Sequence, residues 1–210
     1  HALCHGFSGI RLEVVERIIF FIENDLLPVV LAHGSVGASG DLVPLSHLFL
    51  TLLGEGEFWQ GDERVPAKEV LAKHNLQPIT LAAKEGLALI NGTQFILSHA
   101  IKGLHKMAYL LDLADVAGAM SLEGFQGSAA PFKEALHTIR PFKGNLVVAE
   151  RMRMLLKDSQ NVSSHVSCER VQDPYSLRCI PQVHGAARNA WYHLNDMAEI
   201  EMNSVTDNPI

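Results

Sequence analysis

The longest helical pattern in this sequence runs from Ala82 to about Glu123 and is interrupted once, at Asn91-Gly92-Thr93. An apolar repeat of that reach can only bury its face along other helices, which selects a helix-on-helix architecture. The interruption is informative too. Glycine lowers helix propensity by about 1 kcal/mol relative to alanine, and the polar groups beside it mark a functional break.

The rest of the chain follows the same period. Leu12, Val15, Ile18, Ile19, Ile22 and Leu26 share one face, which predicts a helix from about Arg11 to Leu26, stopped by Pro28. Val43 to Leu53 reads as an apolar helix with Pro44 in its first turn, where a missing N–H does no harm. Gly54 to Asp62 reads as a short hairpin, and Pro66 to His74 as a short helix. Lys133 to Thr138, Asn145 to Asp158 and Gln182 to Ser204 are further helices, while Gln160 to Glu169 is polar and loop-like. Strand signals are weak. The expected fold is mainly α, with long helices in a bundle.

With 48% apolar residues the chain is expected to pack a real core. Its net charge of −6 and lack of a basic cluster argue against nucleic acid as a partner. Three cysteines, Cys4, Cys168 and Cys179, have no paired spacing, which fits a reducing, cytoplasmic compartment better than a disulfide framework. No signal peptide is visible. The most apolar run, Met107 to Met120, is too short to span a bilayer and carries Asp112 and Asp115. The chain opens at His1 in mid-pattern and is expected to be an internal piece of a longer protein, one helical segment over residues 1–210.

Between the first two helices lies Gly34-Ser35-Val36-Gly37-Ala38-Ser39-Gly40-Asp41-Leu42. A glycine-rich loop is ordinarily a turn. A phosphate loop would need Lys-Ser or Lys-Thr where Asp41-Leu42 stands, and a hydrolase elbow would need glycine at Asp41. A third reading is chemical. The Gly40 amide nitrogen can close a five-membered ring on the Ala38 carbonyl carbon, and loss of water from Ser39 then leaves a methylidene. That product is an electrophile, which ordinary side chains do not supply. Glycine suits the attacking position because it has no Cβ.

Three further segments are polar. Asn91-Gly92-Thr93-Gln94 is either a helix break satisfied internally or a neutral hydrogen-bond donor for developing negative charge. Gln172-Asp173-Pro174-Tyr175-Ser176-Leu177-Arg178 offers a guanidinium fork suited to a carboxylate and a tyrosine able to relay a proton, or else a surface ion pair beside a half-buried tyrosine. Asn203 to Pro209 reads as a helix terminus and turn. Of the eleven histidines, His1 and His5 are spaced i, i+4, but no His-Glu-x-x-His pattern or cysteine pair supports a metal site. His33, His47, His99 and His184 read as core or cap residues. No metal is expected.

Together these blocks resemble the aromatic amino acid ammonia-lyases and aminomutases. Gly34 to His47, Lys84 to Gln94, Gln172 to Val183 and Asn203 to Pro209 match that family's signatures in its order and span nearly the whole chain. The third block, with Val183-His184-Gly185, is most similar to the histidine-acting branch. The resemblance implies a central part of the ammonia-lyase fold, with an electrophile loop at residues 34–42. Ala38, Ser39 and Gly40 would form a methylidene-imidazolone, with no dissociable cofactor. Asp41 would assist that step, and Asn91 would hydrogen-bond the imidazolone oxygen. Tyr175 would lie beside the electrophile, Gln172 would support the site, and Arg178 would bind the substrate carboxylate.

The implied reaction removes ammonia and a β-proton from an aromatic amino acid; for L-histidine the product is trans-urocanate. Tyrosine or phenylalanine lyases and aminomutases share this chemistry, and a non-catalytic helical oligomerisation segment would keep the motifs without cyclising. The implied assembly is a homotetramer whose active sites are shared between subunits. The family's catalytic-base tyrosine belongs to an upstream loop, and Tyr109, Tyr175 and Tyr192 do not match it.

Overall fold

The computed structural model describes residues 1–210 apart from Ser35, Ala38, Ser39, Cys168 and residues 207–210. It contains two compact units, His1–Ala100 with Ala198–Ile210, and Ile101–Met197.

The first unit opens with a 3-10 turn, Ala2–His5, followed by α1, Leu12–Glu23. Val14 and Phe21 of α1 are buried while Leu12 and Ile22 face outward, so one stripe of the helix enters the core. The helix stops three residues before the expected Leu26. Asp25 takes a left-handed φ of 52°, and the Leu26 and Asp25 amides close back on the carbonyls of Phe21 and Ile22. This is the Schellman arrangement, here without its usual glycine. The freed residues Leu27–Pro28 become β1.

Next come α2, Leu42–Phe49, and a 3-10 turn, Leu50–Leu53. The hairpin lies further along than the sequence suggests. Its strands are β2, Glu57–Gln60, and β3, Glu63–Pro66, joined by Gly61-Asp62 with Gly61 at φ 63°. β1 and β3 flank β2 in an antiparallel sheet, with Leu27 opposite Trp59 and Phe58 opposite Val65. Phe58 is fully buried and meets Phe21 edge to face at 5.1 Å. Two further helices are α3, Ala67–Lys73, and α4, Glu85–Ile90.

The buried Glu85 fastens α4 to the start of α1. Its Oε1 accepts from the Arg11 backbone N–H at 2.9 Å and from Nε at 2.8 Å, and its Oε2 accepts from Arg11 Nη2 at 2.9 Å and from the Ala82 N–H at 2.6 Å. The Arg11 side-chain bonds outweigh the cost of burial and hold this carboxyl down at about 2. A depressed carboxylate stabilises the fold fully above its ordinary pKa of about 4.3 and loses that contribution as pH falls through the folded value. Glu85→Gln should therefore lower stability at neutral pH and flatten its acid dependence between those values. Unfolding midpoints against pH check this; parallel wild-type and variant curves would refute it.

The helix α5, Gln94–Gly124, begins in the first unit and carries on into the second. A 3-10 turn, Ala130–Phe132, follows it, and then α6, Glu134–Thr138, and α7, Lys143–Leu155. The segment expected as loop contains one helical turn, α8, Gln160–Ser163, started by the Ser159 hydroxyl accepting from the Val162 N–H at 3.2 Å. Then come α9, Tyr175–Arg178, and α10, Ile180–Met202.

The second core gathers Leu122, Phe132, Val148, Met152 and Ile180. Beside it lies a charge network. Fully buried Asp115 accepts from Arg188 Nη2 at 2.6 Å, Arg151 Nε at 2.7 Å and His184 Nδ1 at 2.9 Å. Asp112 accepts from the same Arg188 nitrogen at 2.8 Å. Burial pushes the Asp115 carboxyl up, but its three side-chain partners overcome that and hold it below the ordinary range. Among the described residues no helix is long and apolar enough to cross a membrane.

Candidate active site

The described part of the glycine loop ends in a tight cradle. Gly40 has φ 88°, and its N–H bonds the Gly37 carbonyl at 3.0 Å. A Cβ there would lie 2.8 Å from the Gly92 carbonyl oxygen, 3.0 Å from the Gly92 nitrogen and 3.1 Å from Asn91 Oδ1. Both the backbone angle and the space demand glycine. Ala38 and Ser39, the other expected members of the tripeptide, lie outside the described residues.

Asp41 is fully buried and joins two helices. Its backbone N–H donates to the Gly92 carbonyl at 3.0 Å, and its carbonyl accepts from Leu45 in the first turn of α2. Its Oδ2 accepts from the Ile96 N–H at 2.9 Å, in the first turn of α5. A carboxylate at a helix N-terminus is favoured by the unpaired amides and by the helix dipole. The other oxygen, Oδ1, is buried with no partner among the described residues. An unpaired carboxylate oxygen is costly to bury.

Asn91 closes α4 in extended conformation, with its carboxamide against Gly40. The break between α4 and α5 is thus not satisfied only within itself: Gly92 takes the Asp41 amide, and the Thr93 hydroxyl donates to Glu201 Oε1 at 2.6 Å. Gln94 Nε2 donates to Thr206 Oγ1 at 2.9 Å. The Asn203 and Ser204 side chains bond back to the carbonyls of Glu199 and Ile200, as expected at a helix terminus; Asp207 to Pro209 lie outside the described residues. Glu201 was invisible to sequence reasoning because its partner is 108 positions away.

Gln172, Tyr175 and Arg178 share the wall of a cavity of about 660 Å³ in the second unit. Arg178 Nε donates to the Asp173 carbonyl at 2.9 Å, which fixes one edge of the guanidinium. Its two terminal nitrogens have no hydrogen-bond partner among the described residues. The fork that remains suits a carboxylate. Tyr175 is 72% exposed, rather than half-buried, and its ring lies 5.5 Å from the Arg178 guanidinium carbon. Gln172 is exposed. Asp173 braces the segment, its Oδ2 accepting from the Ser128 N–H at 2.6 Å. Sequence reasoning gave Asp173 no such role, because its partner is 45 positions away.

The histidines divide. His1 and His5 are exposed and touch through their Nε2 atoms at 3.1 Å. His33 and His99 are exposed rather than core, and His99 bonds the Phe95 carbonyl one turn back. His184 belongs to the Asp115 network, and His47 buries an Nδ1 without a partner among the described residues. No group of three or more His, Cys, Asp or Glu suited to a metal occurs among the described residues.

A sequence model described as aromatic amino acid lyase matches residues 1–210. The chain is 51% identical to a histidine ammonia-lyase of Myxococcus xanthus (strain DK1622), covering 100% of this chain and 41% of that protein. Among solved structures it is similar to histidine ammonia-lyase from Trypanosoma cruzi, with a TM-score of 0.85, 41% identity and coverage of 99% and 38%. It is also similar to phenylalanine ammonia lyase from Rhodosporidium toruloides, with a TM-score of 0.87, 33% identity and coverage of 99% and 32%. The chain belongs to the aromatic amino acid lyase family. It spans about two fifths of the length of the curated relatives it matches.

Proposed function

We infer that this chain is the central, electrophile-bearing segment of a larger cytoplasmic enzyme that eliminates ammonia from L-histidine to give trans-urocanate. The observation that carries the reading is the cradle: Gly40 at positive φ against Asn91 and Gly92, next to an Asp41 whose buried Oδ1 has no partner among the described residues. Identity of 51% to a histidine ammonia-lyase supports histidine over tyrosine or phenylalanine.

The cradle fits a methylidene-imidazolone made from Ala38, Ser39 and Gly40. In its formation the Gly40 nitrogen would bond to the Ala38 carbonyl carbon, and the carbonyl oxygen would leave as water with the amide protons of Gly40 and Ser39. Ser39 then loses its hydroxyl and its α-proton as a second water. Nothing is oxidised or reduced. Once formed, the group supplies the strong electrophile that side chains lack.

The chain's own residues do the rest. Asp41 Oδ1 accepts a proton during ring closure. The Asn91 carboxamide would hydrogen-bond the ring oxygen and stabilise negative charge there. Arg178 takes the substrate carboxylate on its free fork, and Gln172 and Tyr175 line the same cavity. Three-subunit sharing of each site in a homotetramer completes the reading.

Intact mass and product analysis of the complete protein test it. A mass lower by two waters and urocanate from histidine are expected, and Ser39→Ala should abolish both while keeping the fold. Full sequence mass in the wild type, or cinnamate-type products alone, would overturn it.

A further inference from the structure

Glu201 sits in the last turn of α10, just ahead of the Asn203–Pro209 block that reads from sequence as a plain helix terminus. Its bond to Thr93 has an unexpected setting. The Thr93 carbonyl accepts from the Leu97 N–H at 2.9 Å, the first bond of α5, so Thr93 is the N-cap residue of that helix. An N-cap threonine ordinarily turns its hydroxyl onto the amide two or three positions on. Here that amide, Ile96 N–H, is taken by Asp41 Oδ2 at 2.9 Å. The Thr93 hydroxyl instead gives its proton to Glu201 at 2.6 Å.

We propose that Glu201 is a positioning residue for electrophile formation: by holding the Thr93 hydroxyl, it keeps the α5 N-terminus open for Asp41. Two oxygens are matched to one amide. With Glu201 in place, the threonine is engaged elsewhere and the carboxylate docks, its second oxygen left beside Gly40. Without Glu201, the Thr93 hydroxyl falls back on Ile96 N–H as a local cap and displaces the carboxylate. Asp41 then loses the contact that orients Oδ1. The effect acts through Asp41 alone, and Glu201 itself need touch neither the loop nor a substrate. The same competition explains why a strong cap former stands at Thr93 yet does not cap.

The inference rests on the lyase reading above, and one experiment separates the two. The complete protein is synthesised in a pulse, and the fraction lighter by two waters is followed by intact mass, with circular dichroism as a check on folding. A cap is worth enough that its capture by Thr93 should slow cyclisation of Glu201→Ala roughly fivefold. Glu201→Gln keeps an acceptor for Thr93 and should cyclise at the wild-type rate. Thr93→Val removes the competitor, so both Thr93→Val and the Thr93→Val/Glu201→Ala double variant should also cyclise at that rate. Rescue in the double variant is the result a merely structural role for Glu201 would not give. A wild type of full sequence mass overturns the lyase reading and this inference with it. A cyclised wild type with an unslowed Glu201→Ala, a slowed Thr93→Val or an unrescued double variant overturns the inference alone. A slowed Thr93→Val overturns the inference even if Glu201→Ala does not fold.

Discussion

Gly40→Ala is expected to leave the protein folded and the electrophile unmade. An alanine would have to hold φ 88°, a left-handed conformation that costs an L residue about 1–2 kcal/mol. Its Cβ would also press on the Gly92 carbonyl oxygen at 2.8 Å and nitrogen at 3.0 Å. Both neighbours are backbone, and the same carbonyl is bonded to the Asp41 amide, so neither yields as a side-chain tip would. The strain is relieved by moving residue 40. In the proposed cyclisation that residue carries the attacking nitrogen, and displacement of a reacting atom by about 1 Å costs on the order of a hundredfold in rate. Intact mass shows the loss of the two-water deficit, and circular dichroism shows the retained helices. A variant that cyclises like the wild type would mean the cradle has no part in the chemistry.

Asp115→Ala should be the most destabilising single change outside the hydrophobic cores. It removes the common acceptor of Arg151, Arg188 and His184. Arg188 is only 8% exposed and already buries an Nε without a partner among the described residues. With Asp115 gone its charge is left facing Asp112 alone. Breaking a buried ion pair from one side costs about 3–5 kcal/mol. Loss of the exposed Lys68–Glu55 pair, at 3.4 Å, should cost under about 1 kcal/mol. Denaturant midpoints of the two variants, measured side by side, test the contrast. Equal midpoints would show that the network contributes specificity without stability.

The helices were legible because periodicity is a local property: the registers that place Val14 and Phe21 inward can be counted along the chain. Their ends were less so. Asp25, Asn75 and Gln126 all take positive φ where a glycine would have signalled a stop. In each case the amide of the following residue closes back over the preceding turn: Leu26 to Phe21, Leu76 to Leu71 and Gly127 to Leu122. The price of left-handed backbone is offset by those bonds, and nothing in the side chain announces it.

The sheet was nearly hidden because its strands are two to four residues long. Asp115 was seen only as a charge in an apolar run, since its partner Arg188 is 73 positions away. The glycine loop, Asn91 and Arg178 were legible as motifs. That Gly40 and Asn91 touch, and that Asp41 reaches Ile96, could not be counted along the chain.

Asp41 also sets an order of events. A ribosome completes the Gly40-Asp41 peptide bond long before the amide that will orient this carboxylate exists. Ile96 follows 55 positions later, and Glu201 follows Thr93 by 108. The Asp41 carboxylate therefore lacks its Ile96 anchor throughout translation of the intervening helices. On the proposed reading, maturation would be a checkpoint on folding: a reactive alkene would be installed only in chains whose distant segments have already come home.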